Sequence, residues 1–394
     1  MKYNFNKEIN RDKTNCVKYD LRSKVFKTEK DIIPMWVADM DLETPEFIRN
    51  AVKERAEHEI FGYSYRPETY YTAITNWIET RHNWEISPRS IVFSPGVVPG
   101  LALSVMAFSQ MSDKIIVQPP VYFPFFTTIK ENGRQISENN LINTNDYYTI
   151  DFDDLKKRID ARTSMIIISN PHNPVGRAWK HEELLELGKI CVKNDIIIIS
   201  DEIHSDLVFA PHKHIPIASI SEEIADRTIT FMAPSKTFNM AGLSTSFAII
   251  TNRKLKKIYN SFLENYHLNL GNIFGNVATE AAYTNGACWV NEMNDYIFSN
   301  INFAQKYISE NIPQISFVKP EATYLLWLNF TKLKITDEEL NDFLINTANI
   351  GLNTGSVFGK NGSGYMRMNV ACTHKTLEKA LLQLKNAFSK VNFI

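Results

Sequence analysis

The sequence predicts an α/β protein: a large domain with a mostly parallel sheet covered by helices, and a smaller α+β domain beside it. Three observations predict this. At 394 residues the chain is too long for one small core. Between Ser90 and Ile250 short apolar runs alternate with amphipathic segments of helical period. The runs are continuously apolar, as in strands buried on both faces.

Taken in order, the segment before about Glu46 is irregular and interrupted by prolines, and is expected to wrap onto the smaller domain. Six strand candidates follow: SIVFS (90–94), KIIVQ (114–118), SMIIIS (164–169), DIIIIS (195–200), TITFM (228–232) and SFAII (246–250). In HEELLELGKICVKN (181–194), Leu184, Leu187, Ile190 and Cys191 share one stripe, the pattern of a crossover helix. After Cys288 the pattern changes. A long helix over about Trp289–Glu310 leads to strand-like ISFVK (315–319) and TYLLWLNF (323–330). A helix over about Asp337–Thr347, strand-like GYMRMNV (364–370) and a last helix from about Leu377 to Ser389 complete the chain. The large domain is therefore expected over 46–288, and the smaller one over 1–45 and 289–394.

Composition excludes several functions. A net charge of −1, with 44% hydrophobic and 22% charged residues, gives no global field for nucleic acid or an anionic membrane. NRKLKK (252–257) is locally basic, but Leu255, Ile258, Tyr259, Phe262 and Leu263 recur at helical spacing, so its lysines read as a solvated face. The four cysteines, Cys16, Cys191, Cys288 and Cys372, include no C-x-x-C pair and no zinc or disulfide framework. No apolar run approaches the ~20 residues that span a bilayer, and MKYNFNKEIN has no apolar signal region. A cytoplasmic protein without a metal is expected.

Ligands of open parallel sheets sit beyond the carboxyl ends of the strands. SIVFS runs into PGVVPGL, which puts the N–H groups of Gly96, Val97 and Val98 at a helix N-terminus, suited to phosphate, although Pro-Gly is also an ordinary turn. SMIIIS ends in NPHNPVG (170–176), whose Asn170 and Asn173, flanked by prolines, either belong to an Asx-type loop or offer an amide that can donate to an aromatic oxygen. DIIIIS ends in DEIHSD (201–206), where Asp201 is either a helix cap or a buried carboxylate in need of a partner. TITFM ends in APSKTFN (233–239), and Lys236 is seldom buried unless paired or chemically employed. A phosphate cradle, an Asn, a buried Asp and a Lys along one sheet edge together specify pyridoxal phosphate.

The ordered set SPGVVPGL, QPPVYFPF, NPHNPVG, DEIHSD and APSKTFN resembles the fold-type I aminotransferase superfamily. With IIPMWVADMDL (32–42) and FGYSYRPETYYTAITNW (61–77) the chain resembles more narrowly the MalY/PatB-type cystathionine β-lyases, from about Tyr19 to the C-terminal helix. The resemblance implies that Lys236 forms the Schiff base with the cofactor and serves as catalytic base. It implies that Asp201 partners the pyridine nitrogen, Asn173 donates to the phenolic oxygen with His204 nearby, and Tyr122 stacks on the ring. Gly96, Val97, Val98 and Ser235 then hold phosphate, with Tyr63 reaching it from a neighbouring subunit, so a homodimer with shared sites is implied. Arg367 would clamp the α-carboxylate of an amino-acid substrate, against Val37 and Ala38.

The implied reaction is β-elimination of a cysteine thioether such as cystathionine to pyruvate, ammonia and a thiol. An aminotransferase would use the same residues, and a regulator that binds a transcription factor is known for one branch of the family. Three departures stand out: NMAGLSTSF lacks the phosphate-binding Arg found after the lysine in many aminotransferases, KYD (18–20) replaces KWD, and ACTHK (371–375) replaces ACPR.

Overall fold

A computed structural model describes residues 2–391. Met1 and residues 392–394, the outermost part of the expected smaller domain, lie outside the described residues.

The main sheet has seven strands: β1 (Ile91–Ser94), β2 (Lys114–Val117), β3 (Gln135–Glu138), β4 (Thr163–Ser169), β5 (Ile197–Asp201), β6 (Thr228–Met232) and β7 (Ser246–Ile249). Their order is β1-β7-β6-β5-β4-β2-β3. Only β7 runs antiparallel to its neighbours. The apolar runs are continuous because both faces are covered. In β4, Met165 and Ile167 enter one apolar cluster with Leu101, Phe125 and Phe231, while Ile166 and Ile168 enter another with Leu184, Leu187 and Trp179. The six expected strands are present. β3 was not expected, because this edge strand, QISE, is mostly polar and partly exposed and so carries no apolar run.

The expected crossover helix spans His181–Lys193, with its stripe buried. The basic segment is also helical (Arg253–Asn265), with Tyr259 and Leu263 buried and Lys254 and Lys257 exposed.

A second, antiparallel sheet is made of β8 (Leu325–Asn329), β9 (Asn353–Thr354) and β10 (Tyr365–Asn369), in the order β8-β10-β9. Helices Ala287–Asn311 and His374–Phe388 flank it in sequence. ISFVK forms no strand; it makes only an isolated bridge, Ser316 to Asn329, against the outer edge of β8. The helix expected over 337–347 is α-helical at Asp337–Asp342 and passes into a π-helical turn at Phe343–Thr347. The N-terminal segment forms two short helices, and then Ile33–Pro34 pair in parallel with Ile350–Gly351.

Candidate active site

The carboxyl ends of β1, β4, β5 and β6 deliver polar residues to one cavity of about 260 Å³. Gly96, Val97 and Val98 line it at the start of helix Val97–Phe108. Gly96 sits at φ +154°, a conformation that L side chains rarely adopt, and an added Cβ would meet Pro99 Cδ at 3.2 Å. Asn173 comes from the loop after β4, Asp201 from the last position of β5, and Ser235 and Lys236 from the short helix Pro234–Thr237 after β6. Tyr122, His204 and Ala38 also line it. Pairing of Ser169 with Asp201, and of Asp201 with Phe231, sets these strand ends level.

Burial controls the ionisation of the cavity. It pushes the Lys236 ammonium down to about 8; Asp39 and Asp201 oppose the shift and Arg367 adds to it. Lys236 Nζ donates to the Ala38 carbonyl at 2.6 Å. Burial pushes the Asp201 carboxyl up to about 7, against the Ile203 N–H and Lys236. His204 is driven down to about 3, first by burial and then by Lys236 and Arg367, so its ring is neutral. Its Nδ1 is buried without a partner. The Tyr122 phenol is also raised, chiefly by burial.

Arg367 approaches from β10. Its Nη1 donates to Asn173 Oδ1 at 3.1 Å, and its Nη2 to Trp36 O at 3.0 Å and Asn353 Oδ1 at 2.7 Å. Its Nε is buried and unpartnered, and the guanidinium lies 4.8 Å from the centroid of the Phe358 ring. Burial lowers its pKa to about 10, which leaves it cationic at neutral pH. A planar cation with a spare donor beside the cavity suits a carboxylate. Val37 stands one residue from the wall, its carbonyl held by Asn369 Nδ2 at 2.6 Å. Tyr63 is 97% exposed and is not part of this chain's cavity.

Several residues in and behind the cavity escaped sequence reasoning. Ser244 and Thr245 line the cavity from the LSTSF stretch, in which an arginine is missing and the hydroxyls were the available signal. Tyr324 donates to the Ala38 carbonyl at 2.9 Å, but in sequence it is one aromatic among the apolar residues of a strand. Asp206 works behind the site. It accepts from Trp77 Nε1 at 3.1 Å and Thr237 Oγ1 at 2.9 Å, with Arg81 Nε 3.3 Å away, and so ties the lysine's helix to helix Glu68–His82. Among the described residues no group of three or more His, Cys, Asp or Glu side chains is arranged to hold a metal ion. No helix among them is long and apolar enough to cross a membrane.

The chain matches the family described as aminotransferase class I and II over residues 30–384. It belongs to that family. Within it the chain falls in the MalY/PatB-type branch: it is 42% identical to cystathionine beta-lyase PatB of Bacillus subtilis, over 98% of this chain and 100% of PatB. Among solved structures it is similar to cystalysin from Treponema denticola, which contains pyridoxal 5′-phosphate (33% identity, TM-score 0.97, all of both chains). It is also similar to the PLP-bound C–S lyase from Staphylococcus hominis (36% identity, TM-score 0.91, 98% of each chain).

The cavity of this family member fits such a cofactor on its own chemistry. N–H groups at the start of a twelve-residue helix, with the hydroxyls of Ser235, Ser244 and Thr245, offer donors to a phosphate. A buried carboxyl with no basic side chain hydrogen-bonded to it suits a protonated ring nitrogen. The unpartnered His204 Nδ1 adds a polar atom with nothing of this chain to bond.

Proposed function

We propose that this protein is a pyridoxal-phosphate-dependent carbon–sulfur β-lyase that cleaves L-cystathionine or a related cysteine thioether to pyruvate, ammonia and a thiol. Full-length identity of 42% with a cystathionine β-lyase carries the reading. The meeting of Lys236, Asp201 and Asn173 at one cavity, with Arg367 hydrogen-bonded to Asn173 beside it, supports it.

Bound in the cavity, pyridoxal phosphate supplies an electron-withdrawing ring that stabilises negative charge at the substrate's Cα. The remaining work belongs to the chain. Arg367 binds the α-carboxylate and so fixes which bonds of Cα face Lys236. Lys236, with its pKa pushed down to about 8, is partly unprotonated near neutral pH and takes the Cα proton. As a carboxylate, Asp201 would accept a hydrogen bond from the protonated ring nitrogen and keep it charged, and Tyr122 and Asn173 would hold the ring's face and phenolic oxygen. The Cβ–S bond breaks with its electron pair leaving on sulfur, and the three-carbon fragment takes up water to give pyruvate and ammonia.

A homodimer with shared sites is part of this reading. Ile60, Phe61, Tyr63 and Tyr65 are 61–97% exposed, an apolar and aromatic run of the kind a second copy covers. In that arrangement Tyr63 completes the phosphate site of the neighbouring subunit. The four cysteines are free, which suits a cytoplasmic location.

The deciding experiment supplies L-cystathionine without any keto acid and follows pyruvate by a coupled dehydrogenase. Continuous turnover is expected. Turnover that stops after one equivalent and resumes on adding a keto acid would replace the lyase with an aminotransferase.

A further inference from the structure

The Ala38 carbonyl oxygen accepts two hydrogen bonds, from Lys236 Nζ at 2.6 Å and from the Tyr324 hydroxyl at 2.9 Å. Tyr324 is fully buried, and its ring stands edge-on to His204, with centroids 5.8 Å apart. Arg367, Asp39 and Tyr122 are within electrostatic range of its hydroxyl. The tyrosine therefore stands behind two residues of the cavity wall, Ala38 and His204, although it immediately precedes β8 of the smaller sheet.

Its placement is costly. Thr323, just before it, is a buried β-branched residue at φ +71°. Such residues rarely adopt this conformation, and it persists only where the surroundings over-determine it. Here Thr323 N donates to Leu207 O at 2.7 Å, and Tyr324 O accepts from Val370 N at 2.9 Å. The backbone is thus clamped on both sides in the geometry that aims Tyr324 at Ala38.

We infer that Tyr324 is a positioning residue for Lys236: its hydroxyl fixes the Ala38 carbonyl as the resting place of the free lysine amine and weakens that carbonyl's hold on the ammonium form. A carbonyl oxygen has two lone pairs, and a donor on one of them lowers the electron density offered to the other. Without Tyr324 the oxygen would serve the lysine alone, favour its protonated form and be less well oriented. With Tyr324 in place the lysine rests close to the cavity as an amine that readily gives up its proton. The inference rests on the reading of Lys236 as the reactive lysine, and deepens it.

The test uses the full-length chain freed of cofactor, as wild type and as Tyr324→Phe, which keeps the ring and removes only the hydroxyl. Trace acetylation over a pH series, with the Lys236 peptide quantified by mass spectrometry, reads the midpoint of Lys236. Tyr324→Phe is expected to raise that midpoint by about one pH unit, and so cut the free amine about tenfold below it. In the loaded enzyme the acid limb of the kcat profile should move alkaline by the same amount, with KM little changed. Thermal melting checks that the variant is folded. An unchanged midpoint in a folded variant overturns the inference and leaves Tyr324 as a packing residue. If borohydride fixes the cofactor to a different lysine in the wild type, the reading of Lys236 itself fails, and this inference with it.

Discussion

Arg367 Nη1 donates to Asn173 Oδ1 at 3.1 Å, joining residues 194 positions apart. One stands on β10 of the smaller sheet and the other in the loop after β4 of the main sheet. Because Nη2 is also held, by Trp36 O and Asn353 Oδ1, the guanidinium is oriented before any substrate arrives. A preoriented cation loses little further freedom on binding a carboxylate.

Replacing Arg367 by Ala should therefore act mainly on KM for amino acids. Loss of a charge-assisted hydrogen bond costs about 1.5–3 kcal/mol, roughly ten- to over a hundredfold. Arg367→Lys should recover only part of this, since an ammonium cannot reproduce the planar fork that reaches Asn173, Trp36 and Asn353 together. Steady-state kinetics with amino acids and with amines lacking the α-carboxylate checks the idea. An equal loss on both would assign Arg367 to folding.

Asp201→Ala should lower kcat far more than cofactor affinity. In the proposed reading the carboxylate would serve the ring nitrogen, whereas the helix N-terminus, Ser235 and Tyr122, which also line the cavity, would hold the cofactor by other atoms. Equilibrium titration with pyridoxal phosphate, set beside kcat, separates the two. An unchanged kcat would reduce Asp201 to a cap on the Ile203 N–H.

In the cofactor-free protein the same carboxyl sets a pH dependence of stability. Its folded pKa is raised to about 7 from the ordinary 3.8, so between these values the folded chain binds more protons than the unfolded one. The contribution is fully present below the ordinary value and is lost as pH rises through the folded one, by up to a few kcal/mol. Asp201→Asn cannot titrate and should flatten the fall in stability between about pH 4 and 7. Urea unfolding of both proteins across that range measures the difference; parallel curves would contradict the burial argument.

Tyr63→Ala and Lys236→Ala proteins should each be inactive, yet regain activity on mixing under subunit exchange. In a mixed dimer one site receives both altered residues and the other neither, so random exchange yields about a quarter of the wild-type sites. No recovery despite exchange proven by mass spectrometry would put Tyr63 outside the neighbour's site.

The sequence by itself determined the main sheet and most of the cavity. Continuous apolar runs such as IIIIS have one stable fate, a strand covered on both faces. Polar residues at or within a few positions of the end of such a run, as Asp201, Asn173 and Lys236 are, must emerge at the sheet's carboxyl edge, so local patterning and chain order were enough. Where that signal fades, so did legibility. The edge strand QISE needs only one covered face and one partner, and ISFVK had the composition of a strand but meets β8 only at the Ser316–Asn329 bridge.

Tertiary structure alone decided which distant residues share an atom. Ala38, Lys236 and Tyr324 meet at one carbonyl oxygen, and Asp206 reaches Trp77 and Thr237 from the far side of the lysine's helix. Nothing in the neighbourhood of Tyr324 sets it apart, because an aromatic in an apolar strand is ordinary core until its hydroxyl has to find an acceptor. That acceptor is chosen by the packing of the N-terminal segment against both sheets, a long-range outcome of burial that no local pattern encodes.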